Sequence, residues 1–257
     1  MKKTILALSL SFAVTLPALL QAQISVPKDK IPSNVSLEVR QEIERLYSEN
    51  HEARAHGAHM LGKMGSKAYP SIPFLIAVLA EPEDACEGGG CNHDQHGHPH
   101  SPSEEALRTL VTFGEPAVEP LIEACAAKDL ETKRKAVMAL GEIKDARAIP
   151  CLSAGLKDGN STVRMMAAWG LTHLGERAMT PLLAELADKN SPGRSDAAYA
   201  LGKLNQAAAI EPLIAALKEK DEGLRKESAK ALSRLTGQDF GESAADWQKW
   251  WEQNKSR

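Results

Sequence analysis

The residues of this chain best suited to chemistry lie in one short segment that is rich in cysteine and histidine. Residues 81–103 combine glycine, proline and polar residues in a way that excludes a helix, so the segment is predicted to be a surface loop. Thiolate and imidazole groups are the ligands that Zn(II), Cu and Ni(II) favour. The segment therefore predicts a transition-metal site, and no other cofactor is indicated. The candidate ligands are Cys86, Cys91, His93, His96, His98 and His100.

Two interpretations of this segment remain open. The spacing C-x4-C-x-H-x2-H-x-H-x-H corresponds to no structural zinc motif, and it lacks the C-x-x-C-H pattern of covalent haem attachment. In an oxidising compartment, Cys86 and Cys91 could instead close a small disulfide, which would leave only histidines for a metal. His51, His56 and His59 precede the loop on a predicted helix, where His56 and His59 share a face. They could complete the metal site or form a polar outer face.

The elements that must position this loop are helical hairpins that repeat along the chain. One leucine column recurs on the first helix of each hairpin, with steps of 30 or 31 residues from Leu110 onward. A hairpin of this kind buries its apolar face only against similar neighbours. The loop occupies the one irregular step, since Leu75 and Leu121 on successive second helices are 46 residues apart. The leucine column comprises Leu61, Leu110, Leu140, Leu171, Leu201 and Leu232.

Further columns keep the same phase and predict a continuous core. A mostly small column precedes the leucines by three positions, an alanine stands in each turn, and leucines recur on the second helices. Cys125 occupies a leucine position, which predicts a small buried residue. Cys151 stands near the start of the next second helix, and the two cysteines could pair if their Cα atoms approach within about 6 Å, although the helical offset disfavours this. The turn alanines are Ala68, Ala117, Ala148, Ala178 and Ala209, and the second-helix leucines are Leu75, Leu121, Leu152, Leu182 and Leu213.

A cation stands seven positions before each of five leucines of the first column, and aspartates stand shortly before four of these cations. Regular cations with acidic neighbours predict a ladder of ion pairs between turns and helices, rather than an anion-binding stripe. The cations are Arg54, Lys133, Arg164, Arg194 and Arg225, and the aspartates are Asp129, Asp158, Asp188 and Asp221.

Both ends of the repeat array carry closing elements. Ser36 can cap a helix over Leu37 to Glu49 that covers the first repeat. Trp247, Trp250 and Trp251 fall at i, i+3 and i+4 of a last helix, Ser243 to Asn254, and are predicted to seal the final repeat.

The pattern R-x-x-A-A-x-A-L-G-x-L at Arg194 to Leu204, followed by A-I-x-P-L-I-x-A-L, resembles a HEAT repeat of the short bacterial type that also occurs in phycobilisome-lyase-like proteins. The tail LTGQDFG and the tryptophans after it are similar to the closing repeat of exported bacterial HEAT proteins. The resemblance covers residues 52–254 and implies an all-α, right-handed α-α superhelix in residues 34–257. It also implies no single chemistry, because HEAT proteins include scaffolds, adaptors and a few enzymes.

Enzyme activity is not expected. The iron enzyme deoxyhypusine hydroxylase, a HEAT protein, has several His-Glu dyads, whereas this chain has the single dyad His51-Glu52. The phycobilin lyases, which share the short repeat, act on cytoplasmic targets. No G-x-S-x-G motif and no glycine-rich phosphate loop is present.

The start of the chain predicts export. Lys2 and Lys3 precede a twelve-residue, mostly apolar run from Ile5 to Leu16, and residues 1–22 are predicted to be a signal peptide. The run is too short to span a bilayer, which needs about 20 apolar residues. Residues 23–33 then form a linker. The net charge of −3 at pH 7 argues against a nucleic-acid partner. A periplasmic or secreted location follows.

We therefore expect an exported, non-catalytic scaffold that binds a protein partner. We expect the second helices to build the concave side of the superhelix. Candidate contacts with a partner there are Glu123, Ser153, Glu185 and Lys218. The alternative is a metal-binding or metal-buffering protein that uses the loop 86–100 with Zn, Cu or Ni.

Overall fold

The structure is a computed structural model that describes residues 25–81 and 101–255. The helices and turns of these ranges contain no strand and build the predicted all-α, right-handed α-α superhelix. The predicted signal peptide lies outside the described residues. No helix within the described ranges is both long enough and apolar enough to cross a membrane.

Thirteen α-helices lie in the described residues, and short 3-10 turns join several of them. One helix precedes the repeats, five hairpins follow, and a sixth hairpin ends the array, as the columns predict. The single helix is α1 (Leu37–Arg45). The hairpins pair α2 (His51–Met64) with α3 (Ile72–Val78), α4 (Pro102–Phe113) with α5 (Glu115–Ala124), α6 (Leu130–Ile143) with α7 (Ile149–Gly155), α8 (Ser161–His173) with α9 (Met179–Ala187), α10 (Arg194–Leu204) with α11 (Ile210–Ala216), and α12 (Glu222–Thr236) with α13 (Ala244–Asn254).

Local sequence sets where these helices begin. Side-chain oxygens accept hydrogen bonds from backbone N–H groups of the first turn, which would otherwise lack a partner. Proline near the start of the second helices fixes a helical φ where no N–H is needed. The predicted cap Ser36 accepts from the N–H of Val39 at 3.3 Å. Residues with this role are Ser36, Asn50, Ser101, Asp129, Asn160, Asp221 and Ser243.

The predicted columns form the core. Every member of the first-helix leucine column, every turn alanine and every second-helix leucine of the column that begins at Leu75 has no exposed surface. Burial of a leucine side chain stabilises the fold by about 1.5–3 kcal/mol, so the columns supply most of the apolar stabilisation. Trp247 is also fully buried at the end of the array, and Trp250 and Trp251 pack beside it half-buried. The predicted tryptophan seal is confirmed.

The first helices pack on one another more closely than the second helices do. A side chain on Gly141 would place its Cβ 2.6 Å from the Cα of Gly170, so only glycine allows this approach of α6 and α8. Between α10 and α12, a Cβ on Gly202 would lie 2.6 Å from the Cβ of Ala231. The first helices therefore form a continuous, tightly packed row.

The predicted ladder of paired cations is confirmed, with different partners from those expected. Arg164 shows the pattern, because it donates to the carbonyl oxygens of Asp158 and Gly159 in the preceding turn and pairs with Asp196 at 3.3 Å. Asp129 and Asp221 cap helices instead of pairing with the cations. The other pairs are Arg54 with Glu81 (2.9 Å), Lys133 with Asp158 (2.8 Å), Arg194 with Glu219 (3.4 Å) and Arg225 with Glu242 (2.8 Å).

Cys125 and Cys151 pair, although the helical offset disfavoured this. Their sulfur atoms form a disulfide, and their Cα atoms are 6.3 Å apart, within the usual range for such a bond. Cys125 ends α5 and Cys151 lies in the first turn of α7, so the bond joins the second helices of neighbouring hairpins.

Candidate functional site

The predicted metal ligands Cys86, Cys91, His93, His96, His98 and His100 lie outside the described residues. Within residues 25–81 and 101–255, no group of three or more His, Cys, Asp or Glu side chains could hold a metal ion. The loop site and the alternative disulfide between Cys86 and Cys91 therefore stay predictions.

On α2, His59 contacts a carboxylate, whereas His56 is exposed to solvent. His59 Nδ1 lies 3.2 Å from the carboxylate of Glu105, which is largely buried in the first turn of α4. The structure therefore gives His59 a carboxylate partner close to the point where the insertion rejoins the solenoid.

A buried lysine fastens both ends of the insertion. Lys135 on α6 is only 2% exposed. Its ammonium donates to the carbonyl oxygen of Glu81 at 2.8 Å, and to the hydroxyl of Ser103 at 2.8 Å. The carbonyl of Leu79 accepts a third hydrogen bond at 3.2 Å. Glu81 is further held by Arg54. These contacts fix the boundaries of the insertion on the solenoid.

The second-helix residues expected to contact a partner are only partly available. Glu185 is 3% exposed, and its carboxylate accepts a hydrogen bond from the hydroxyl of Ser191, so its expected surface role is wrong. Ser153 donates its hydroxyl proton to the carbonyl of Ile149 at 2.7 Å. Glu123 and Lys218 are exposed.

A groove on the first helices forms a better candidate site. It has a volume of about 650 Å³ and crosses α6, α8, α10 and α12. We call it the methionine groove. Its apolar residues are Met138, Met165, Met166, Trp169 and Tyr199.

The close packing of the first helices sets the shape of this apolar surface. Trp169 lies against Gly141, where an added Cβ would be 3.3 Å from the indole ring. The imidazole of His173 meets the same indole edge-on, with 4.1 Å between ring centroids. Met165 is 50% exposed, which is unusual for a large apolar side chain in this protein. The groove thus presents thioether and aromatic surface to solvent on a rigid support.

Burial also sets the protonation state of His173. Its Nδ1 is buried and has no hydrogen-bond partner among the described residues. Loss of hydration lowers the pKa of the imidazole, and the nearby ammonium of Lys144 lowers it further. His173 is therefore neutral at pH 7, and it adds aromatic surface beside Trp169 without adding charge.

The carboxylates in the groove are already paired. Asp196 lies 3.3 Å from the guanidinium of Arg164. Burial raises the pKa of Asp196, although the pairing with Arg164 acts in the opposite direction. Glu227 lies 2.7 Å from the ammonium of Lys230. Both negative charges are thus offset by cations of the protein.

Two further cations lie beside the ring of Tyr199: Arg234 lines the groove, and Lys203 adjoins the groove without lining it. The ammonium of Lys203 lies 5.7 Å from the ring centre of Tyr199, and the guanidinium of Arg234 lies 5.4 Å from the same centre. Neither has a carboxylate within ion-pair distance among the described residues. Cation–π contacts hold both groups over the phenol ring.

The sequence contains a signal for this groove outside the buried apolar columns. Met138, Trp169, Tyr199 and Lys230 each stand two positions before a leucine of the first column. This outward column varies in side-chain type, while the inward columns stay small or aliphatic. Large apolar residues at exposed repeat positions are typical of a binding surface.

Comparisons with known proteins agree with the architecture. A family model described as HEAT repeats matches residues 103–172, 118–202 and 179–247, which together exceed half of the chain. No curated protein matches the chain.

Several solved structures are similar to this chain. Kap121p is 11% identical over 84% of this chain and 26% of its own, with a TM-score of 0.52. The complex of CpcE and CpcF of phycocyanin lyase from Nostoc sp. PCC7120 is 23% identical over 63% of this chain and 97% of that chain, with a TM-score of 0.48. A designed armadillo repeat protein in complex with the peptide (KR)4 is 17% identical over 78% and 100% of the two chains, with a TM-score of 0.42. The repeated hairpins, their buried columns and the matched family model together place this chain in the HEAT-repeat family.

Proposed function

We propose that this protein is an exported, non-catalytic scaffold that binds a protein partner through the surface of its solenoid. The observation that carries this proposal is the methionine groove, which crosses four successive repeats and presents exposed and half-buried apolar side chains from three of them. The proposed binding surface therefore lies on the first helices, whereas the sequence had predicted the second helices.

The chemistry of the groove suits recognition. Methionine side chains adapt to different partners because they are flexible and polarisable. Tryptophan, tyrosine and arginine are enriched among the residues that dominate binding energy at protein interfaces. Trp169, Tyr199 and Arg234 supply these three types within one groove. Close packing of the first helices limits the reorganisation that binding would require.

Two features support export. The basic and apolar start of the chain has the pattern of a signal peptide. The disulfide between Cys125 and Cys151 is a bond that persists in oxidising compartments. Cell fractionation with intact-mass measurement would test this part of the proposal: the expected product is a periplasmic or secreted protein that lacks residues 1–22. A cytoplasmic protein of full mass would overturn it.

Site-specific photocrosslinking tests the scaffold function. A photoreactive amino acid replaces Met165 in the groove, and a matched variant carries it at Lys218 on the second-helix side. We expect a discrete protein adduct from position 165 and none from position 218, with adducts identified by mass spectrometry. Adducts from position 218 alone would place the contact on the second helices. No adduct from a wider scan of exposed positions on both sides would contradict the scaffold function.

Metal binding by the insertion is the alternative function. It is favoured by the fixed ends of the insertion on Lys135 and by the His59–Glu105 contact beside them. Elemental analysis and calorimetry with Zn(II) test it on the full chain. A variant lacking residues 87–100 should lose about one bound ion per chain if the loop holds it. Equal metal content in both proteins would remove this alternative.

A further inference from the structure

We propose that the methionine groove recognises an acidic segment of a partner protein that carries both carboxylate and large aliphatic side chains. This inference rests on the proposed scaffold function and specifies the chemistry of its ligand. It is carried by the distribution of charge along the groove.

Among the described residues, no ion pair offsets the charges of the two cations beside Tyr199. Asp196 is offset by Arg164, and Glu227 is offset by Lys230. Lys203 and Arg234 have no carboxylate at ion-pair distance within the described residues. The end of the groove near α10 and α12 therefore adjoins two positive charges without a carboxylate partner in the described part of the chain, Arg234 in the lining and Lys203 beside Tyr199. A segment with carboxylates complements this end, whereas a basic segment would meet uncompensated cations.

The ring of Tyr199 orients the two cations. Both lie over the ring of Tyr199, which restricts where their charged groups can stand. Arg234 offers a planar, multidentate donor that fits a carboxylate. An acidic side chain that reaches them would find donors already oriented, so less conformational entropy is lost on binding.

The apolar part of the ligand would contact side chains on α8. Met165 is half exposed, and Trp169 is half-buried between Gly141 and His173. These side chains lie on α8, one repeat before Tyr199 on α10. Aliphatic side chains of the ligand would cover them and exclude water from the neighbouring charges. The groove thus pairs an apolar half with a cationic end, so a segment that carries both leucine and glutamate offers a partner to each part.

The dimensions of the groove fix the length of the probe. Packed helix axes lie about 8–10 Å apart, so the row from α6 to α12 spans roughly 27 Å. An extended chain rises about 3.3 Å per residue, so about eight residues cross the groove. A labelled synthetic peptide of about twelve residues that alternates glutamate and leucine therefore covers it with a margin at each end.

Fluorescence anisotropy with the full folded chain tests this inference. The glutamate–leucine peptide should bind at least about tenfold more tightly than a matched peptide with lysine in place of glutamate, and also more tightly than one with serine in place of leucine. Added salt should weaken the binding. Equal binding of the lysine peptide would overturn the inference.

Charge-reversal variants locate the contact. The double variant Lys203→Glu with Arg234→Glu should weaken binding of the acidic peptide by about tenfold or more and reduce its salt dependence. Met165→Asp should weaken it as well. The matched controls are Lys218→Glu, an exposed cation outside the groove, and Leu37→Asp, an exposed apolar residue at 69% exposure on α1. Equal loss in the controls would overturn the inference.

The two proposals fail in different ways. A photocrosslinked partner at position 165 without binding of the acidic peptide would overturn the ligand chemistry and leave the scaffold function standing. Absence of adducts from every scanned position, together with absence of peptide binding, would overturn both.

Discussion

Lys133 and Lys135 lie two residues apart on α6, one within the ladder of surface cations and the other beneath the ends of the insertion. Lys135 is 2% exposed and donates to acceptors that are themselves buried, including the hydroxyl of Ser103. A buried polar group without a partner costs about 1–3 kcal/mol. An exposed ion pair, in contrast, adds little to the free energy of unfolding, because water solvates both charges when the pair is broken.

Replacement of Lys135 by methionine should therefore lower the free energy of unfolding by about 2–3 kcal/mol, because it leaves several buried acceptors without donors at nearly constant side-chain volume. Urea unfolding followed by circular dichroism measures the change. The matched control is Lys133→Met, whose ion pair with Asp158 is partly exposed and should cost no more than about 1 kcal/mol. Equal losses in the two variants would show that Lys135 does not hold the insertion.

The Lys133–Asp158 pair predicts part of the acid response of the protein. The hydrogen bond from Lys133, with a second from the N–H of Asn160, lowers the pKa of the Asp158 carboxyl. A carboxyl whose pKa is lower in the folded state adds stability above its unfolded value of about 3.9, and this stability is lost as the pH falls through the folded value. Lys133→Met should raise the pKa of Asp158 and diminish the loss of stability between pH 5 and pH 3.

An NMR titration of Asp158 and urea midpoints at the two pH values check this prediction. Lys128→Met provides the control, since Lys128 is exposed and forms no ion pair among the described residues. An unchanged pKa of Asp158 in Lys133→Met would contradict the assignment.

At the scale of the helices, the second-helix layer is fastened by a covalent bond. The disulfide joins α5 to α7 across a sequence separation of 26 residues. Closure of a loop of this length stabilises a folded protein by about 3–4 kcal/mol in the chain-entropy model. The double variant Cys125→Ala with Cys151→Ala should unfold at correspondingly lower urea.

Reductant provides the internal control for this prediction. It should shift the urea midpoint of the natural protein towards that of the double variant and leave the double variant unchanged. A thiol assay on the folded double variant and the natural protein would confirm that Cys125 and Cys151 contribute no free thiol. If reductant left the urea midpoint of the natural protein unchanged, the stabilising role of the disulfide would be contradicted.

The helices themselves could be predicted from the sequence, but this bond could not. The leucine columns fix which face of each helix is buried, because only that face repeats in phase with its neighbours. The columns place Cys125 and Cys151 in successive second helices, yet they do not give the distance between those helices. That distance is set by how the hairpins α4–α5 and α6–α7 pack on each other, which is a property of the folded stack.

At the scale of the whole molecule, the candidate site arises from the stacking of repeats. Met138, Trp169, Tyr199 and Lys230 are separated by about one repeat each in sequence and become neighbours only when the first helices pack in a row. The sequence could predict the row and the outward position of each residue. It could not predict the depth of the groove or the placement of Lys203 and Arg234 over one ring, because these depend on side-chain packing between repeats.

The same one-dimensional construction predicts that damage to one end stays local. Trp247 is fully buried, donates its indole N–H to the carbonyl of Gly241 at 2.8 Å, and meets Phe240 edge-on. Trp247→Ala removes about 3–5 kcal/mol of packing. Because each repeat contacts mainly its neighbours, we expect hydrogen-exchange protection to fall in α11, α12 and α13 while α4 to α7 keep theirs. Trp251→Ala serves as the control, since this half-buried residue, which donates to Glu211 at 2.9 Å, should cause a smaller loss confined to α11 and α13. Uniform loss of protection from α4 to α13 in Trp247→Ala would show that the solenoid unfolds as one cooperative unit.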